Sequence, residues 1–133
     1  MKKLIILAIS IMMILSLSSI VMAKAVKLDL GALGTEKGQG KVILNNPSGA
    51  INLVVQVNLK GAQPDFPYCV WIKAEGVDFI YLGKLVTNGV GNGTFHKNVE
   101  TELKGIFNKI IVALDDCDSI NLYWSDEGKI EIK

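Results

Sequence analysis

The chain has 133 residues, with fourteen lysines against thirteen acids, one histidine and no arginine. Without arginine, bidentate grips on phosphate or carboxylate are unavailable, and a near-zero net charge argues against the basic face that a nucleic acid needs.

Met1-Lys2-Lys3 supplies a basic start, Leu4 to Leu17 is almost wholly apolar, and Ser18-Ser19-Ile20-Val21-Met22-Ala23 has the small-residue end of a secretory signal. Val21 and Ala23 occupy the two positions a signal peptidase reads, so residues 1–23 are predicted to be a signal peptide cleaved after Ala23. The competing reading is an uncleaved anchor, because Leu4 to Val21 is near the lower length limit for crossing a bilayer. Ser16, Ser18 and Ser19 dilute the end of that run and weigh against it. No cysteine stands at the cleavage site to carry a lipid. Residues 24–133 are then a single exported domain, secreted or held in the cell envelope, and losing Lys2 and Lys3 brings its charge to about −1.

Strand signals follow one another from there. Val26, Leu28 and Leu30 alternate with Lys27 and Asp29, and Thr35 to Gly40 turns the chain into a short strand from Lys41 to Asn45. Asn46-Pro47-Ser48-Gly49 is turn chemistry. Ile51 to Gly61 alternates most clearly, with Ile51, Leu53, Val55, Val57 and Leu59 on one face, and is predicted to be a central strand. Pro64 and Pro67 interrupt the chain before Tyr68 to Lys73, where Tyr68, Val70 and Ile72 are predicted inward and Cys69, Trp71 and Lys73 outward.

Val77 to Thr87 is predicted as the next strand, and Asn88-Gly89 as a tight hairpin because both residues tolerate positive φ, with Gly91-Asn92-Gly93 extending the turn before Thr94 to Val99 returns as a strand. Glu100 to Gly105 is a polar connection with room for one helical turn at Leu103. Ile106 to Leu114 is a strand, Asp115 to Asp118 a loop, and Ile120, Leu122 and Trp124 then alternate with Asn121 and Tyr123 opposite. A last strand carries Ile130 and Ile132. Eight or nine short strands with glycine and asparagine turns predict an all-β fold, a two-sheet antiparallel β-sandwich of Greek-key or immunoglobulin-like kind.

A proline loop, then Tyr68-x-Val70-Trp71-Ile72, Leu82-Gly83-x-Leu85, Thr87-Asn88-Gly89 and Gly91-Asn92-Gly93-Thr94-Phe95 make a recognisable cadence. It resembles small exported β-sandwich proteins of prokaryotes and, more distantly, is similar to the copper–zinc superoxide dismutase-like and chordin-repeat-type sandwiches. The resemblance implies a fold and not a chemistry. Dismutase activity does not carry over, because that centre needs several imidazoles and His96 is alone.

No nucleophile has a base beside it in the sequence, so no catalytic residue is assigned and the protein reads as non-enzymatic. Cys69 and Cys117 are candidates for a disulfide in an oxidising compartment, the alternative being two separate buried thiols. Asp115, Asp116 and Asp118 form an acidic loop that could take calcium, a cation of oxygen ligands; the alternative is a solvated turn. The helix-loop-helix calcium spacing is not met. Asn92-Gly93-Thr94 is a glycosylation acceptor sequence. Trp71 with Tyr81 is the candidate aromatic patch for a sugar, a peptide or another subunit. The expected partner is a protein or glycan at the cell envelope, with membrane contact only through an uncleaved signal segment.

Overall fold

The computed structural model describes residues 25–47, 51–100, 103–118 and 121–132, so the predicted signal segment, like Ser48 and Gly49 of the predicted turn and Ile120 of the predicted strand, lies outside the described residues. Nine strands follow in order: β1 (Val26–Ala32), β2 (Gln39–Asn45), β3 (Leu53–Lys60), β4 (Pro67–Ala74), β5 (Ile80–Val86), β6 (Gly93–Val99), β7 (Gly105–Asp115), β8 (Asn121–Ser125) and β9 (Gly128–Ile132). The helical turn expected at Leu103 falls partly on residues 101–102, outside the described residues; Leu103 itself is irregular, and there is no helix among the described residues.

All pairings are antiparallel, and the strands form one path, β5–β4–β7–β8–β1–β2–β3–β6. β9 lies off that path and pairs with the first half of β7, whose second half pairs with β8. The expected all-β fold of eight or nine antiparallel strands is found, but a division into two sheets is not clear. β1 is bonded to β2 on one side and β8 on the other, so what would be two layers is one continuous sheet rolled into a nearly closed barrel. Alternation reports that one face of each strand is buried, which is true of a sandwich and a barrel alike; closure depends on register and twist.

The roll ends where β5 and β6 meet. Lys97 Nζ donates to the Leu82 carbonyl at 2.8 Å, so a side chain satisfies an edge acceptor that no ladder reaches. Gly83, at φ 150°, lets the Phe95 ring lie against the backbone: a Cβ there would stand 3.1 Å from Phe95 Cε2. The hairpin joining the two strands differs from the expected Asn88-Gly89 pair. Its left-handed residue is Gly91, at φ 82°, while Asn88 Oδ1 accepts from Val90 N and Asn92 N at 3.1 and 3.0 Å. Asparagine serves here as a side-chain acceptor closing a three-residue loop. A Cβ on Gly91 would fall 2.0 Å from the Ala62 carbonyl oxygen. Gly91→Ala is therefore expected to cost about 1–3 kcal/mol, from strained φ and displaced backbone together. A urea midpoint equal to that of the parent would contradict it.

The interior is a single core. β3 contributes Leu53, Val55, Val57 and Leu59, and β4 contributes Tyr68, Val70 and Ile72, all at most 1% exposed. Both inward sets match the alternation of their strands. β8 does the reverse of what its apolar residues suggest: Tyr123 is fully buried, while Trp124 is half-buried outside the core and Leu122 only half-buried against it. Tyr123 can sit in the core because its hydroxyl donates to the Lys37 carbonyl at one end of the barrel.

Candidate binding surface

The outer side chains of the barrel fall into rows set by register. One row runs Tyr81, Trp71, Ala113, Trp124, Gly31, Gln39 and Lys60, across seven strands. Its first half is aromatic. The Trp71 and Tyr81 rings are 5.0 Å apart, so the predicted pair meets, and Phe79 stands edge-on to Trp124 at 6.0 Å with Lys73 Nζ 5.1 Å from the Phe79 ring. Tyr81 and Phe79 are exposed at 48% and 39%. Trp71 Nε1 is buried with no hydrogen-bond partner among the described residues. Small Ala113 between the two tryptophans leaves room for this layer.

Beyond Trp124 the row becomes polar and borders an open groove of about 1070 Å³. The neighbouring row, Asp29–Lys41–Asn58–Thr94, crosses β1, β2, β3 and β6 and lines it. Trp124 and Asp126 close one end, and Asn88 and Asn92 of the β5–β6 hairpin close the other. Its charges are Asp29, Asp126, Lys41 and Lys60, which balance. Among the described residues, the side chains of Gln39, Asn58 and Thr94 have no internal hydrogen-bond partner, whereas Asn92 Oδ1 accepts from Gly61 N at 3.1 Å. The groove and Trp124's place beside it were not foreseen from the sequence. The polar outer positions of β1, β2 and β3 were visible in it, but no local pattern says that they line up.

The other expected residues fall elsewhere. Cys69 and Cys117 form a disulfide, with sulfurs 2.07 Å apart and Cα atoms at 5.1 Å. Asp115 is buried beside it: its Oδ1 accepts from Cys117 N at 2.9 Å and holds Cys117 at φ 68°. Asp116 Oδ1 accepts from Asp118 N at 2.9 Å. These are two successive Asx turns, and among the described residues the three aspartates do not converge as a set; Asp115 instead clusters with the two bonded sulfurs. A disulfide offers no thiolate to a metal. Asn92 is exposed on the hairpin. His96 is exposed on β6, opposite Gln56.

No protein-family model, curated protein or solved structure matches the chain. The class is thus defined by the fold: a disulfide-bonded, nearly closed antiparallel β-barrel with an aromatic and polar outer face.

Proposed function

We propose that the protein is an exported, non-enzymatic binding module that works in the cell envelope and holds its ligand in the groove over β1, β2, β3 and β6. The observation that carries this reading is the groove itself, with Asn58, Thr94 and Gln39 presenting donors and acceptors that the described residues leave unused. The disulfide and the N-terminal segment support export. Calcium at Asp115, Asp116 and Asp118 has less support, because the Asp115 and Asp116 carboxylates already hold turn N–H groups.

The test is a nitrogen-15 amide titration of the secreted protein with polysaccharide and protein fractions of its own cells' envelope. Shifts should concentrate at Gly31, Lys41, Asn58 and Thr94, and the added material should be recovered unchanged. Turnover of either fraction would overturn the non-enzymatic reading, and silent groove resonances with every fraction would overturn the site.

A further inference from the structure

We infer that the groove takes a neutral oligosaccharide laid across β1, β2, β3 and β6, with Trp124 as its stacking platform; this deepens the binding-module reading and rests on it.

Gly31 is the most telling residue. It lies inside β1, paired on both sides with Gln39 and Trp124, where a glycine weakens a strand. Nothing in the fold requires it: its φ is not in the left-handed range, and a Cβ there would come no closer than 4.0 Å to any neighbour, the Trp124 carbonyl oxygen. What the missing side chain does is keep the outer row open next to the Trp124 ring. A local rule broken without structural gain points to a ligand that comes close at that position.

The lining selects the ligand's chemistry. The ring of Trp124 meets the apolar C–H face of a pyranose, and its groove neighbours are hydroxyl, amide and charged side chains suited to the hydroxyl rim. Two carboxylates against two ammonium groups favour neither a polyanion nor a polycation. The polar row spans four strands, about 14 Å at the usual strand spacing, which suits a short chain of sugars better than a single ring. An extended peptide would add to a free strand edge; β1, β2 and β3 are each paired on both sides, which leaves only the outer edge of β6 among the groove's four strands.

The test is a titration of the secreted protein with neutral hexasaccharides of glucose, mannose, galactose and N-acetylglucosamine, beside hexagalacturonate and a neutral hexapeptide. Amide shifts and tryptophan fluorescence are read together. At least one neutral sugar should saturate, moving Gly31, Asn58 and Thr94, with an affinity flat in salt because no ion pair is exchanged. Trp124→Ala should weaken it at least about tenfold, Trp124→Phe much less, and Trp71→Phe not at all. Gly31→Val is the sharpest variant. It should raise the melting temperature by about a few degrees through strand propensity while abolishing saturation. Equal sugar binding by Gly31→Val would overturn the inference. So would groove shifts from hexagalacturonate or the peptide alone, which would leave the binding reading standing. No groove response to any of these probes or to the envelope fractions would end both.

Discussion

Replacing Cys69 with alanine and Cys117 with serine is expected to lower the unfolding free energy by about 2–4 kcal/mol and the melting temperature by about 10 °C. The bond spans a sequence separation of 48, and closing a loop of that length in the unfolded chain accounts for roughly 4 kcal/mol in the chain-entropy account. Little native structure should change. Cys69 already pairs with Asp115 in the β4–β7 ladder, so the backbone around one end of the bridge is held without it. Alanine suits position 69 because Cys69 is 5% exposed, with Sγ 3.9 Å from the Tyr81 hydroxyl, and a buried serine would need a new partner. Urea unfolding of the oxidised parent and the variant measures the effect. An unchanged midpoint would mean that the bond does not constrain the unfolded chain.

Tyr123→Ala is expected to cost about 3–5 kcal/mol, the range for emptying an aromatic site in a packed core. Tyr123 is fully buried, its ring lies edge-on to Tyr68 at 5.5 Å, and Tyr68 in turn contacts Phe66 at 4.8 Å. Tyr123→Phe keeps the ring and loses the hydroxyl's bonds to the Lys37 carbonyl and to the Glu36 carboxylate, a loss of about 1–2 kcal/mol at neutral pH.

The same pair sets the alkaline limit. Burial raises the phenol of Tyr123 well above its ordinary 10.0, with Tyr68 and then the Glu36 carboxylate, 3.4 Å away, adding to it. Burial also raises Tyr68, against the lowering bond from the Gln63 amide. A raised pKa in the folded state means that the native protein keeps protons which the unfolded chain releases. This stabilisation is full below about pH 10 and is lost as pH rises through the folded values, at up to about 2.7 kcal/mol per pH unit for two tyrosines. Tyr123→Phe should roughly halve that slope. Urea midpoints between neutral and strongly alkaline pH give the comparison, and equal slopes would show that Tyr123 does not contribute.

What could be read along the chain was local. Period-two alternation placed Tyr68, Val70 and Ile72 inside and Cys69, Trp71 and Lys73 on the opposite face, because neighbouring side chains on a strand must point to opposite faces; Cys69 is nonetheless buried there. Turn residues marked nearly every strand boundary for the same short-range reason. β8 lies at the limit of that method. Leu122, Tyr123 and Trp124 are apolar on both faces, and the choice fell to whichever aromatic could satisfy its polar atom indoors. Tyr123 found the Lys37 carbonyl, in a loop far away in sequence.

The candidate surface was legible only as isolated residues. Trp71 and Tyr81 were visible, but Trp124 beside Gly31, and Asp29 in one row with Asn58 and Thr94, follow from register between strands distant in the chain. By itself the sequence determined an all-β chain, its main inward faces, its near-neutral charge and two cysteines free to pair. Tertiary structure alone decided that the strands roll into one sheet, that Cys69 meets Cys117, and that a glycine stands open beside a tryptophan. The physical reason is that alternation is a property of one strand, while closure, pairing and a groove are properties of which strands become neighbours.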